Sequence, residues 1–178
     1  MRPKGTAFWA VFGLVAASLT ACKPPPTDAG LDGEVPEAEV VFASEPQPSP
    51  ETEGAVWVNS AEPQRIIYGV PGGPALMALA CEGAGAKAMV RITRMARADE
   101  DAGALMALVG NGHFGRIEVD ATEVNGRTIW EGAVPVDDRA LEPLRGPRAL
   151  EVTVPGAGTL ALNPSPLPMR LLSRCLNS

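Results

Sequence analysis

"RIEVDATEVNGRTIWEGAV", residues 116–134, carries the clearest hairpin signal of the chain. Asn125-Gly126 lies between two β-prone runs, and this dipeptide suits a two-residue type I′ turn because both central positions need positive φ. With Val124 opposite Arg127, counting outward sets Ala121 against Trp130, Val119 against Gly132 and Ile117 against Val134 on one face. Small residues oppose large ones there, so this face reads as core. The other face carries Arg116, Glu118, Asp120, Thr122, Arg127, Ile129 and Glu131, the composition of the solvated side of an antiparallel sheet.

Further apolar runs flank this hairpin: "AVWVNS", "RIIYGV", "ALMALAC" and "KAMVRIT" before it, "ALMALVG" beside it, "ALEVTV" and "TLALN" after it. Nine short strands punctuated by Gly, Pro and Asn predict an all-β domain over residues 55–178, a mainly antiparallel β-sandwich or barrel. Two helical pieces interrupt it. Asp137 or Asp138 can cap a short helix through Leu144, and Pro168 can open a C-terminal helix running to about Leu176.

Residues 23–54 differ in kind. They hold seven prolines, one lysine and eight acids, whereas residues 55–178 hold twelve basic and thirteen acidic groups. A stretch so rich in proline and charge buries too little apolar surface to offset its ordering entropy, so residues 22–54 are expected to be a disordered tether. Within it, Val40–Ala43 ("VVFA") is an apolar island suited to adding a strand at a sheet edge. The near-neutral domain lacks the concentrated basic face that nucleic acid requires.

At the N-terminus, Arg2 and Lys4 precede an eleven-residue apolar run, Ala7–Ala17, about half the roughly 20 residues that span a bilayer. "KPPP" follows Cys22 and ends any helix there. Leu19-Thr20-Ala21-Cys22 ("LTAC") resembles the lipobox of bacterial prolipoproteins, which are cut just before the cysteine. The resemblance covers residues 1–22 and implies a signal peptide over 1–21, with Cys22 as the lipidated first residue of the mature chain. Several acyl chains on one cysteine anchor stably where one does not. Lys23 stands where an inner-membrane retention aspartate sits in many lipoproteins, which points to the outer membrane, facing the periplasm.

With Cys22 acylated, Cys81 and Cys175 remain as an even pair in an oxidising compartment, and a disulfide between them is expected. No C-x-x-C spacing suggests a redox or metal role. From Trp57 through "YGVPGGPALMALAC" and "LEVTVPGAGTLALNPSP" to Cys175, the order of features is similar to a set of small secreted or lipid-anchored two-cysteine proteins of Gram-negative bacteria. That resemblance implies a β-rich domain and transfers no catalytic residues.

The chemistry-bearing residues are few. His113, the single histidine, falls in "GNGHFGR", which reads as an exposed hairpin tip beside a packing Phe114. Asp99, Glu100 and Asp101 lack the alternating ligand spacing of a calcium loop. Asp120 and Glu131 become cross-strand neighbours in the hairpin register, a like-charge pair that Arg116, Arg127 or a cation must screen. No G-x-S-x-G or phosphate loop occurs. No catalytic residue, metal ligand set or cofactor is therefore assigned, and His113, Asp120 and Glu131 stand as binding candidates. The functional expectation is a membrane-anchored, non-catalytic binding module of the cell envelope, with an unidentified envelope protein or component as partner. The alternatives are an inhibitor of a lytic enzyme, or an enzyme with its site around His113.

Overall fold

The computed structural model describes residues 46–177. The expected signal peptide over 1–21, Cys22 and Val40–Ala43 lie outside the described residues. Nine strands form one antiparallel sheet: β1 (Val56–Asn59), β2 (Arg65–Gly69), β3 (Ala75–Glu82), β4 (Met89–Arg97), β5 (Gly103–Gly110), β6 (His113–Val124), β7 (Arg127–Pro135), β8 (Leu150–Thr153) and β9 (Thr159–Leu162). All nine match the runs singled out in the sequence. Their order is β1-β2-β3-β4-β7-β6-β5-β8-β9, and the sheet curls into a nearly closed barrel. The C-terminal helix α1 spans Leu167–Asn177, and 3₁₀ turns occupy Gly85–Lys87 and Arg139–Arg145. Asp138 caps the 139–145 turn, its carboxylate accepting from the Ala140 N–H at 2.7 Å.

Alternation along the strands supplies the core. One inward row crosses six strands, Trp57–Tyr68–Met77–Arg94–Trp130–Ala121, each residue paired in register with the next. The neighbouring rows put Leu79 opposite Ile92 and Cys81 opposite Val90. Leu141, Leu144, Leu171, Leu172 and Cys175 are all fully buried, so the 139–145 turn and α1 together plug the end of the barrel where Cys81 lies. Cys175 on α1 is bonded to Cys81 on β3, with the Cα atoms 5.7 Å apart.

The hairpin that opened the reading forms as counted near its turn, with Val124 opposite Arg127, Ala121 opposite Trp130 and Asp120 opposite Glu131. Asn125 and Gly126 both have positive φ, as the turn requires. Further out the structure departs from the expected register. The β6–β7 ladder stops at Asp120–Glu131, and neither Val119–Gly132 nor Ile117–Val134 pairs. The cause is local. A Cβ on Gly132 would stand 2.9 Å from Val119 Cγ1 and overlap the Glu118 carbonyl, so β6 passes too close over Gly132 to stay in the ladder. The freed end of β6 packs instead on the 139–145 turn.

Ile129 departs in a second way. Expected on the solvated face, it is 3% exposed. It sits where β4 bulges: Arg94 faces Trp130 while Arg97 faces Ile129, so Met95 and Ala96 are extra residues that bend β4 at this point.

Gly115 shows how tightly the plug is seated. A Cβ there would lie 2.7 Å from the Ala140 carbonyl carbon and closer still to its oxygen, both rigid backbone. Gly115→Ala is therefore expected to destabilise the domain by about 1–3 kcal/mol, as overpacking does. Thermal unfolding measures it, with Gly112→Ala, at an open turn position, separating backbone strain from the clash.

The domain begins ahead of Ala55. Residues 46–54, which fall inside the expected tether, lie along the seam between β9 and β1. The Gln47 N–H donates to the Gly156 carbonyl (2.8 Å) and its side-chain amide to the Arg97 carbonyl (2.7 Å). The Thr159 N–H donates to Ser49 Oγ at 3.0 Å, and the Asn163 amide donates to the carbonyls of Thr52 and Ala55. Short polar side chains, invisible to a count of apolar residues, hold this stretch in place.

Candidate functional site

Three places gather chemistry-bearing side chains. The first is the outer face of β4 and β7. Glu131 faces Asp120 across the β6–β7 ladder, as expected, but the groups that hold it come from β4 rather than from Arg116 or Arg127. Thr93 Oγ1 donates to Glu131 at 2.7 Å, and Arg91 lies 3.6 Å from its second oxygen. Arg91 also donates two bonds to Glu82, at 2.5 and 3.0 Å. This bidentate pair holds the Glu82 carboxyl below the usual range and the Arg91 guanidinium above its own. The Glu82–Arg91–Glu131–Thr93 chain belts three strands across a half-exposed face. It engages both oxygens of Glu131, one by a hydrogen bond and one by an ion pair, and so holds this side chain against the sheet.

The second place is the end of the barrel opposite the plug. A cavity of about 300 Å³ opens there, lined by Asp99, Asp101, Ala104, Trp130 and Pro155 among others. Beneath it the inward row carries Arg94, 3% exposed, whose guanidinium donates to the Leu76 carbonyl (3.0 Å) and the Ala157 carbonyl (3.3 Å). Burial pushes the Arg94 pKa down. Arg94 Nε and Trp130 Nε1 are buried without a hydrogen-bond partner among the described residues. The guanidinium thus ties the start of β3 to the β8–β9 loop across the barrel end. Nothing in the residue order of "VRITRM" distinguishes this inward arginine from its exposed neighbours, apart from the strand alternation that places Val90, Ile92 and Arg94 on one face. Asp99, Glu100 and Asp101 form the turn between β4 and β5, where the Ala102 N–H donates to the Asp99 carbonyl. No group of three or more His, Cys, Asp or Glu suited to a metal ion occurs among the described residues.

The third place is the β5–β6 hairpin tip, Gly110–Phe114. Asn111 and Gly112 form its turn with positive φ at both. Asn111 also docks the tip on the plug, donating to the Pro143 carbonyl at 2.7 Å and accepting from the Arg148 N–H at 3.1 Å. His113 is exposed, as expected, and its imidazole makes no hydrogen bond or ion pair among the described residues. Phe114 does not pack. It is 61% exposed, beside Val109 at 52%, with the Arg116 guanidinium 5.2 Å from its ring centre. Phe114 lies on the outward face of β6, opposite Val109, and the plug supports only the backbone beneath it.

Of the sequence candidates, Asp120 and Glu131 are therefore brought together and His113 is not. His113 pairs at one end of the β5–β6 ladder and Asp120 at the other, opposite Gly103. Seven residues of strand, about 23 Å, lie between them. No family model, no curated protein and no solved structure matches this chain.

Proposed function

We propose that the protein is a lipoprotein of the cell envelope, held at the outer membrane by acyl chains on Cys22, and that its barrel serves there as a non-catalytic binding module for an envelope protein or component. The observation that supports this most is the Cys81–Cys175 bond. It uses two of the three cysteines, and the one that remains is the cysteine of LTAC. A structural disulfide also suits a compartment outside the reducing cytosol. The plugged, belted barrel supports a rigid presenting scaffold, because its interior is filled by side chains and its best-placed carboxylate, Glu131, is engaged within the sheet.

Intact mass of the protein extracted from cell membranes tests the proposal. The expected result is a chain beginning at acylated Cys22 that gains the mass of two hydrogens on reduction. Cys22→Ser is expected to move the protein from the membrane to the soluble fraction. An unacylated chain, or unchanged membrane partition of Cys22→Ser, overturns the anchor.

A further inference from the structure

The plugged end of the barrel carries an uneven charge. Lys87, Arg116, Arg139, Arg148, Arg170 and Arg174 all lie on the elements that build this end. None of them forms an ion pair among the described residues. The acids nearby are fewer, and several are engaged: Asp138 caps the 139–145 turn, Glu142 pairs with Arg145, and Glu82 pairs with Arg91. Asp137, Glu118 and Glu151 are the exposed remainder, Glu118 two residues beyond Arg116 on β6 and Glu151 opposite Val109. From the middle of this basic end project Phe114 and Val109, with Leu176 of α1 40% exposed.

We infer that this end is a docking face for an anionic phospholipid surface. An exposed aromatic ring on a hairpin tip, with Arg116 against it and further unpaired basic side chains on the same end of the barrel, meets both demands of a bilayer interface: apolar insertion at headgroup depth and attraction to anionic headgroups. The cation–π contact holds Arg116 against the Phe114 ring, so that charge and ring approach a headgroup layer together.

The inference rests on the proposed anchor for which membrane is met, and the chain permits it. Gln47 enters the domain at the opposite end, beside Arg97 and Gly156. Residues 22–45, 24 in number, can span up to about 80 Å when extended. The longest strand, β6, has 12 residues and measures about 40 Å. A domain anchored through Cys22 can therefore turn its far end down onto the same bilayer.

The test uses the mature-length chain, residues 22–178, with Cys22→Ser so that no acyl chain contributes. It is sedimented with vesicles of phosphatidylcholine alone or mixed with phosphatidylglycerol. Binding is expected only to the anionic vesicles and is expected to weaken as salt is raised. Phe114→Ser is expected to lower the partition coefficient roughly tenfold, through loss of apolar burial. Arg148→Glu is expected to lower it about 25-fold, as about 1 kcal/mol for each of two charge units predicts. Both side chains are exposed, so thermal unfolding should be unchanged and loss of fold is separated from loss of docking. Equal binding to both vesicle types, no binding to either, or wild-type binding by Phe114→Ser overturns the inference. So does photo-crosslinking from position 114 in cells that captures a protein in place of lipid, which would point to an acidic protein face. Because the unacylated chain is used, failure here leaves the anchor standing, and failure of the anchor by mass leaves this face standing.

Discussion

Replacing both Cys81 and Cys175 by Ala is expected to lower the unfolding free energy by about 4–5 kcal/mol, the largest effect of any change considered. The bond closes a loop with a sequence separation of 94 residues, and in the chain-entropy picture such a loop in the unfolded state costs about 4.7 kcal/mol of entropy that the intact bond removes. Folded-state contacts add to this, because Cys175 is fully buried among the residues of α1 that plug the barrel. Total stabilities of single domains run about 5–15 kcal/mol, so the double variant is expected to approach marginal stability. Denaturant unfolding of the oxidised, reduced and double-Ala proteins measures it. Reduced wild type and the double variant should agree within about 1 kcal/mol, and a loss below about 1 kcal/mol in both would show that α1 holds its place without the bond.

Tyr68 is the second large case. Its ring is fully buried in the inward row against Trp57, centroids 5.3 Å apart. Its hydroxyl donates to the Ala161 carbonyl at 3.1 Å and accepts from the Asn163 N–H at 3.0 Å. Those two bonds cross from β2 to β9, the far edge of the same sheet, where no strand ladder runs. Tyr68→Ala is expected to cost about 3–5 kcal/mol through the cavity it leaves. Tyr68→Phe is expected to cost about 0.5–1.5 kcal/mol, because it removes only the hydroxyl and with it the two part-buried bonds to the Ala161 carbonyl and the Asn163 N–H.

The same group gives a pH dependence. Burial raises the Tyr68 pKa above its usual value, partly opposed by the Asn163 bond. The folded state therefore keeps its proton where the unfolded state loses it. This contribution is complete below the ordinary tyrosine value of about 10 and is lost as pH rises beyond it. Tm should fall more steeply above that point in wild type than in Tyr68→Phe. The chain has one tyrosine, so phenolate absorbance reports this ionisation without ambiguity. Ionisation at the ordinary value with the fold intact would show that the hydroxyl reaches water.

Strand content was legible because alternation is local. Each of the nine runs could be recognised within a few residues, and Asn125-Gly126 fixed one register outright. The disulfide followed from counting cysteines. The departures share a different origin, in contacts between residues distant in the chain. Gly132 ends the β6–β7 ladder because β6 crosses over it, and Ile129 is buried at a bulge in β4, a strand more than 30 residues earlier. Glu131 finds its partners on β4 because β4, distant in sequence, flanks β7 on the side away from β6. Arg94 reads as an ordinary surface arginine until the barrel closes around it. Phe114 misled in the opposite direction: an aromatic residue beside a turn reads as packing, yet the tip is fastened by Asn111 and backbone, leaving the ring outside.

The seam formed by residues 46–54 has a mechanical consequence. Tension applied through the N-terminus, with the plugged end gripped by a surface or partner, enters the seam at Gln47. Its hydrogen bonds lie across the line of pull, from Gln47 with Gly156 through Ser49 with Thr159 to Thr52 with Asn163, and are loaded together as in shear. The seam should therefore hold until it yields as a unit, taking the load before the barrel behind it does. Extension then has a hard limit. Residues 46–80 can lengthen to about 120 Å when drawn out, but everything between Cys81 and Cys175 is closed by a covalent bond and adds no length however hard the chain is pulled.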